Sequence, residues 1–178
     1  MGTLKHKELI DSLRCKDKIR VLFVCLGNIC RSPAAEGVMR AMAAADGIGS
    51  RFEIDSAGTG RYHIGDLPDK RMRVHALRRG IELTHICRQL RDDDFRNFDL
   101  LIGMDESNLS NMRRMAPDVE SLDKIAGMGE FIDKACGYYS YVPDPYYEGS
   151  DGFELVLDLL ENGCRNLIDT LTQPCTES

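Results

Sequence analysis

Four apolar stretches along the chain have the pattern of buried β-strands. Residues 19–25 are nearly all apolar and are rich in β-branched and aromatic side chains, which is typical of a strand covered on both faces of a parallel sheet. Residues 51–58 and 98–105 predict a second and a third strand. A shorter fourth strand is expected around residues 124–127.

Segments with a helical period separate and follow these strands. A helix is predicted over residues 32–47, with Ser32 as its N-cap and Gly47 at its end. Further helices are predicted over residues 69–81 and 106–117. The last helix carries one apolar stripe, which is formed by Phe153, Val156, Leu157, Leu160, Cys164, Leu167, Ile168 and Leu171.

The alternation of strands and helices predicts an α/β fold with a parallel sheet and helices on both of its faces. The 178 residues fit one domain. We expect this domain to cover residues 19–173, preceded by a polar lead over residues 1–18 and followed by a tail over 174–178. A short helix through Leu9 and Leu13 is expected in the lead.

The charge balance argues against a general nucleic-acid-binding protein. The formal net charge is −6, from 23 Lys and Arg against 29 Asp and Glu, whereas proteins that bind nucleic acids are usually basic. A local group of arginines is interpreted as a solvated helix face: Arg71, Arg73, Arg78 and Arg79. No apolar run approaches the roughly 18 residues of a membrane span, and no signal peptide is evident, so we expect a cytoplasmic protein without a membrane partner.

The cysteines are seven in number and scattered: Cys15, Cys25, Cys30, Cys87, Cys136, Cys164 and Cys175. Without a secretory signal they are expected to be mainly reduced thiols rather than a disulfide framework. No CxxC pair occurs, which argues against a structural zinc site. Neither a metal nor a cofactor is expected.

The loop after the first strand carries residue types that bind a tetrahedral oxyanion. Parallel sheets place ligands at the carboxyl ends of their strands, and Cys25 ends the first strand. Gly27 and Asn28 tolerate left-handed backbone angles, the following helix N-terminus attracts anions, and Arg31 matches two phosphate oxygens. This positive field favours a thiolate at Cys25, to which Ser32 can donate its hydroxyl hydrogen. A buried structural cysteine before an ordinary turn is the alternative.

The sequence VCLGNICRSPAAE resembles that of the low-molecular-weight protein tyrosine phosphatases, in which Cys-x5-Arg-Ser follows the first strand. The resemblance extends through DSAGTG, GMDESNL and DPYY, and so covers about residues 20–169. It implies a flavodoxin-like fold with a four-stranded parallel sheet and a phosphatase domain over residues 19–173. It also implies a phosphate-binding loop that consists of Cys25, Leu26, Gly27, Asn28, Ile29, Cys30, Arg31 and Ser32.

The resemblance implies a two-step hydrolysis in which Cys25 attacks phosphorus and Asp144, the aspartate of DPYY, protonates the leaving oxygen. Asp144 then takes a proton from the water that hydrolyses the phosphocysteine, while Arg31 and the loop N–H groups hold the oxygens without a metal. By composition alone, Asp144 lies in a turn within a long loop. The expected partner is a phosphotyrosine-containing protein or a small aryl phosphate, with phosphate or sulfate also binding in the loop.

Further residues are assigned through the same resemblance. Asn28 is expected to organise the loop through hydrogen bonds to Ser56 and His85. Asp105 is expected to support the loop, or to cap a helix, or both. Cys30 is a redox candidate, because it could trap a sulfenate of Cys25 as a disulfide; passive packing is the alternative.

Aromatic residues are expected to select the substrate. Tyr62, Tyr146 and Tyr147 are predicted to form the walls of a pocket for a phenyl ring. In relatives that act on phosphoarginine, threonine stands at the position of Ile29, and the isoleucine of this chain favours an aryl ester.

The same residues argue against three rival functions. Arsenate reduction needs two further neighbouring cysteines, whereas Cys87 has none near it in the sequence. A non-catalytic phosphate-binding domain would not need the set of Cys25, Arg31, Ser32 and Asp144. A cysteine protease would need a histidine base rather than a cationic loop.

Overall fold

The computed structural model describes residues 4–175, in which four parallel strands form one sheet. The strands are β1 (Ile19–Cys25), β2 (Phe52–Gly58), β3 (Leu100–Gly103) and β4 (Ile125–Gly127). Their order is β2-β1-β3-β4, so the chain reverses its direction of winding beside β1. The predicted α/β class and all four predicted strands are confirmed, and the fold is flavodoxin-like.

Seven α-helices lie between and around the strands of the described chain: α1 (Leu4–Arg14), α2 (Arg31–Ala45), α3 (Lys70–Arg78), α4 (Asp92–Asn97), α5 (Glu106–Met115), α6 (Val119–Asp123) and α7 (Ser150–Thr172). Single 3-10 turns occur at Gly49–Arg51, Met128–Phe131 and Lys134–Cys136. Among residues 4–175, no helix combines the length and apolar character that a bilayer crossing requires.

Both faces of the sheet are buried, which explains the apolar run from Val21 to Cys25 in β1; Arg20, near the start of the strand, is exposed. Val21 and Phe23 belong to a core that α2, α3 and α7 complete. Leu22 and Val24 point to the opposite face, where they join a second core with side chains of α4 and α5. Because successive strand residues alternate between faces, a strand covered on both sides must be apolar throughout.

Two helix boundaries differ from their predictions for local reasons. The helix α2 begins at Arg31 rather than after Ser32, and Cys30 occupies the N-cap position without a side-chain capping bond. Ser32 is therefore not an N-cap; it lies in the first helical turn. The helix α3 begins after Asp69, whose carboxylate accepts the N–H of Arg71 at 2.8 Å, and it ends at Arg78, before Gly80.

The helices α4 and α6 were not predicted. They have six and five residues, too few to show a repeating apolar period. Capping identifies them better than periodicity does. Asp118 accepts the N–H of Ser121 at 2.8 Å at the start of α6, and Asp94 accepts the N–H of Arg91 at 2.8 Å at the start of α4.

The predicted helix of the N-terminal lead is present as α1, and it packs against α7. Leu13 is buried in the main core, and Arg14 Nε donates to the carbonyl oxygen of Thr170 at 2.8 Å. Most of the cysteines are free thiols, as expected, but Cys15 and Cys175 form a disulfide that was not predicted. Their separation of 160 positions hides this pairing in the sequence, because only the folded core brings the two ends together.

Candidate active site

The loop between β1 and α2 has its carbonyl groups bonded outward. The carbonyl oxygens of Cys25 and Leu26 accept the N–H groups of Thr59 and Gly60, both at 2.9 Å, and that of Ile29 accepts the N–H of Asp69 at 2.8 Å. Within residues 4–175, the N–H groups of residues 27–30 have no acceptor. Such a row of free donors at a helix N-terminus is an anion-binding arrangement.

The hydrogen-bond directions around the Cys25 sulfur can be assigned. Ser32 Oγ lies 3.0 Å from Cys25 Sγ, and Asn28 Nδ2 donates to the same Ser32 oxygen at 2.8 Å. The hydroxyl hydrogen of Ser32 then has two acceptors within reach, the sulfur at 3.0 Å and the carbonyl oxygen of Ala57 at 3.5 Å, and the shorter contact is the one to the sulfur. The arrangement stabilises negative charge on Cys25, because a hydrogen bond to a charged acceptor is stronger than one to a neutral acceptor.

Asn28 is fully buried and adopts a left-handed backbone conformation with φ of 57°. Both expected contacts are present: Nδ2 donates to Ser56 Oγ at 3.0 Å, and Oδ1 lies 2.7 Å from His85 Nε2. The backbone N–H of Arg88 also donates to Oδ1, at 2.9 Å. Because an amide oxygen only accepts, Nε2 carries the hydrogen of His85 in this contact.

A buried carboxylate behind Asn28 was not found from the sequence. Glu36 Oε2 accepts the hydroxyl of Ser56 at 2.8 Å and lies 3.1 Å from His85 Nδ1. Burial raises the pKa of Glu36 to about 7, and it lowers the pKa of His85. In the sequence, the one indication of a buried Glu36 is its position on α2, five residues after Arg31 and on the inner side of the helix.

Arg31 is 3% exposed, and two acceptors hold its guanidinium in place. Its Nη1 donates to Asp105 Oδ2 at 2.6 Å and to the carbonyl oxygen of Val142 at 3.1 Å. Asp105 is at the same time the N-cap of α5, since its other oxygen accepts the N–H of Asn108 at 2.8 Å. Asp105 therefore has both of the roles considered for it.

Asp144 lies at the mouth of the same site. Its Oδ2 is 3.5 Å from Arg31 Nη2, and its Oδ1 accepts the N–H of Tyr146 at 3.1 Å. Asp144 and Cys25 line one cavity of about 430 Å³. A carboxyl group that is 47% exposed can exchange protons with water, as a general acid and base must.

The three predicted aromatic residues line this cavity: Tyr62, Tyr146 and Tyr147. Their rings form its rim, since Tyr62 is 76% exposed and Tyr147 93% exposed. Tyr146 contacts the edge of Tyr147 at a ring distance of 4.9 Å. Arg71, which the sequence placed on a solvated face, lies over the Tyr146 ring at 5.3 Å. His63 also lines the cavity and was not predicted.

Two further thiols are close to the site, one within the loop and one beside it. Cys30 lines the cavity and is 4% exposed, and burial raises its pKa. Cys87 donates its thiol hydrogen to the carbonyl oxygen of Asn28 at 2.8 Å, and burial raises its pKa to about 11. No local pattern indicates this contact, because 59 positions separate the two residues.

Comparisons with known proteins agree with this geometry. The model of the low molecular weight phosphotyrosine protein phosphatase family matches residues 20–176. A protein of that name from Schizosaccharomyces pombe is 48% identical over 136 residues, which are 76% of this chain and 85% of the relative. A putative low molecular weight protein-tyrosine-phosphatase from Synechocystis is 44% identical over 153 residues, covering 86% of this chain and 96% of the relative.

Solved structures show the same likeness. The crystal structure of a protein tyrosine phosphatase from Entamoeba histolytica, with Hepes in its active site, aligns with a TM-score of 0.83 at 42% identity. The alignment covers 86% of this chain and 97% of that one.

Proposed function

This chain belongs to the low molecular weight phosphotyrosine protein phosphatase family, and on that premise we propose that it hydrolyses phosphotyrosine and related aryl phosphate monoesters. The observation that carries the proposal is the convergence of Cys25, Arg31 and Asp144 on one cavity. These three residues supply a nucleophile, a cation and a proton donor, which are the groups that phosphoryl transfer through a covalent intermediate requires. The substrate is a phosphotyrosine-containing protein or a small aryl phosphate.

The phosphate dianion binds in the loop through two sets of donors. The N–H groups of residues 27–30 face it from the backbone. Arg31 contributes the N–H groups of Nε and Nη2, because Nη1 is already bonded to Asp105 and Val142. A guanidinium held in this way matches two phosphate oxygens without first having to be ordered. Since these donors supply the positive charge, the reaction does not need a metal.

In the first step the Cys25 sulfur attacks phosphorus and forms the S–P bond as the P–O bond to the tyrosine breaks. Asp144 donates its proton to the departing phenolic oxygen, and a phosphocysteine remains. In the second step water attacks phosphorus, Asp144 accepts a proton from that water, and Cys25 leaves as a thiolate. The hydroxyl of Ser32, 3.0 Å from the sulfur, stabilises the thiolate at the start and at the end.

The shape of the cavity favours an aryl ester. Tyr62 and Tyr146 stand on its rim, and Ile29 and Leu26 add apolar surface. A phenyl ring that connects the phosphate to a peptide backbone would contact these side chains, whereas the shorter phosphoserine would not bring apolar surface to them.

The position of Cys30 supports a protective role. Peroxide oxidises the Cys25 thiolate to a sulfenate, and attack by the Cys30 thiol would form a disulfide and release water. The raised pKa of Cys30 keeps this second thiol protonated and slow, so its reaction is expected only with an already oxidised Cys25. Recovery of activity by thiol after peroxide treatment, in wild type against Cys30→Ser, tests this role.

The function is tested by the hydrolysis of p-nitrophenyl phosphate and a phosphotyrosine peptide in the presence of a chelator. Wild type should hydrolyse both, and Cys25→Ser should hydrolyse neither. Asp144→Ala should reduce kcat by about 10²- to 10⁴-fold, with a smaller effect on the p-nitrophenyl ester, whose leaving group needs less protonation. Phosphoarginine and arsenate, offered to the same variants, separate the rival functions.

Undiminished turnover by Asp144→Ala on the phosphotyrosine peptide would remove Asp144 from the mechanism. Activity in Cys25→Ser, or a strict requirement for an added metal, would overturn the proposal as a whole.

A further inference from the structure

A second cavity, of about 290 Å³, adjoins the candidate active site. Leu26 and Tyr62 line both cavities, so they form the wall between them. The other side of the second cavity is formed by α5, through Asn111 and Arg114. A peptide whose phosphotyrosine occupies the first cavity would therefore have its neighbouring residues close to the second cavity.

Arg114 gives the second cavity a positive charge. The side chain is exposed, and among residues 4–175 its recorded partner is an uncharged group, the amide oxygen of Asn111. The adjacent Arg113 differs, since it forms an ion pair with Glu106 at 3.0 Å. No carboxylate lines this cavity. In a chain with a net charge of −6, such an uncompensated cation beside a binding site attracts an anion.

The backbone of the wall between the two cavities is hydrogen-bonded to residues 59 and 60. Tyr62 packs on Gly60 so closely that a Cβ atom there would lie 2.7 Å from Tyr62 Cε2. The N–H groups of Thr59 and Gly60 donate to the carbonyl oxygens of Cys25 and Leu26, both at 2.9 Å. The backbone of this wall is therefore joined to the phosphate-binding loop, and the Tyr62 ring, which is 76% exposed, lies over it.

Thr59 also lines the second cavity, but its hydroxyl group is buried. Its Oγ1 has no hydrogen-bond partner among residues 4–175. Because this oxygen is not accessible from the cavity, the polar character of the second cavity comes from Asn111 and Arg114.

We infer that this second cavity is a subsite for an acidic side chain, aspartate or glutamate, next to the phosphotyrosine of the substrate. The inference rests on the proposed function, and it adds a sequence preference to it. Consecutive Cα atoms of a peptide are about 3.8 Å apart, so a residue beside the phosphotyrosine reaches across a wall of two side chains. Its carboxylate meets the guanidinium of Arg114, and Leu26 and Tyr62 contact its aliphatic part.

The expected preference is moderate, because Arg114 is exposed. Ion pairs of this kind contribute a factor of about two to five in affinity, and salt weakens them. The effect should appear in kcat/KM as a ratio between an aspartate peptide and its asparagine counterpart, which differ only in charge.

The experiment uses a set of phosphotyrosine peptides that carry a single Asp, or a single Asn, at each of the two positions on either side of the phosphotyrosine. The Asp-to-Asn ratio of kcat/KM is measured with wild type, Arg114→Gln and Arg113→Gln, at low and high salt. The ratio is internal to each variant, so a general loss of folding or turnover does not change it. Arg113→Gln is the matched control, since it removes the neighbouring charge but not the one that lines the cavity.

The subsite is supported if one position gives a ratio of about two to five in wild type and in Arg113→Gln, and a ratio near one in Arg114→Gln. A ratio near one at every position in wild type, or a preference that persists in Arg114→Gln, overturns it. In both of these outcomes p-nitrophenyl phosphate is still hydrolysed, and the proposed function stands. Failure of wild type on every phosphate ester overturns the proposed function and the subsite together.

Discussion

Replacing Ser32 with alanine is expected to remove the hydrogen bond that stabilises the reactive form of Cys25. The Ser32 side chain is fully buried, and its Oγ lies 3.0 Å from the sulfur. That oxygen accepts from Asn28 Nδ2 at 2.8 Å, and of the two acceptors for its own hydrogen the sulfur is nearer than the carbonyl oxygen of Ala57, which is 3.5 Å away. Alanine removes the donor and changes the volume little.

The size of the effect follows from this geometry. A hydrogen bond to a charged group contributes about 1.5–3 kcal/mol, and a tenfold change in rate corresponds to about 1.4 kcal/mol. Ser32→Ala should therefore lower kcat/KM for p-nitrophenyl phosphate by about 10- to 100-fold. In the proposed mechanism Cys25 is the nucleophile of the first step and the leaving group of the second, so kcat should fall and KM should change little.

The assay combines turnover with alkylation of Cys25 by iodoacetamide, followed by mass spectrometry of the peptide that contains it. The thiolate is the form that reacts, so alkylation reports its population independently of phosphate chemistry. Ser56→Ala is the control, because it removes a hydrogen-bond partner of Asn28 but no contact to the sulfur. Alkylation of Ser32→Ala at the wild-type rate, with unchanged kcat, would refute the reasoning.

Three further outcomes are expected. Arg31→Lys should weaken competitive inhibition by inorganic phosphate at least tenfold, because one ammonium cannot replace a two-pronged guanidinium; unchanged inhibition would contradict this. Burial raises the pKa of Glu36 to about 7, so the folded state keeps a proton that the unfolded state releases near pH 4.5. The contribution of Glu36 to the free energy of unfolding therefore falls as pH rises from about 4.5 to 7. Urea unfolding at pH 5 and 8 should show a smaller decrease for Glu36→Gln than for wild type, by about 2–3 kcal/mol. Reduction of the Cys15–Cys175 disulfide, or Cys15→Ser, should lower the free energy of unfolding by about 2–5 kcal/mol, as measured by denaturant titration with and without thiol.

The strands and helices that could be predicted from the sequence are those whose pattern of apolar residues is determined by burial alone. The strand β1 is covered on both faces, so its seven residues show the signal directly, and α7 shows its apolar stripe over many turns. The helices α4 and α6 are short and amphipathic only in part, so no period reveals them. The disulfide between Cys15 and Cys175 depends on how the ends of α1 and α7 meet, which no local pattern encodes.

The candidate site divides in the same way. The phosphate-binding loop is contiguous in sequence, so the strand, turn and helix signals around it were sufficient to place Cys25, Arg31 and Ser32 in one predicted site. Asp144 lies 113 positions after Arg31 in a segment without regular structure, and only the resemblance to a family identified it. The contact of Cys87 with the loop was missed for a related reason: it is made through space, and the sequence around Cys87 shows no pattern that indicates it.

The hydrogen bonds of Asn28 explain why polar residues far apart in the sequence are buried behind the loop. The Asn28 amide uses both donors and both acceptor positions, with Ser32, Ser56, His85 and the Arg88 N–H as partners. A left-handed asparagine costs roughly 1–3 kcal/mol, and it persists only where its surroundings impose it. The folding of the protein already imposes this backbone conformation in the absence of substrate. The free N–H groups of the loop are therefore in place for the phosphate before it binds. Stabilisation by such prearranged donors is worth more than the same hydrogen bonds formed during the reaction, because no reorganisation accompanies the transition state. Ser56 and His85, which the family resemblance implied, and Glu36 behind them, which it did not, therefore act on the loop through one asparagine.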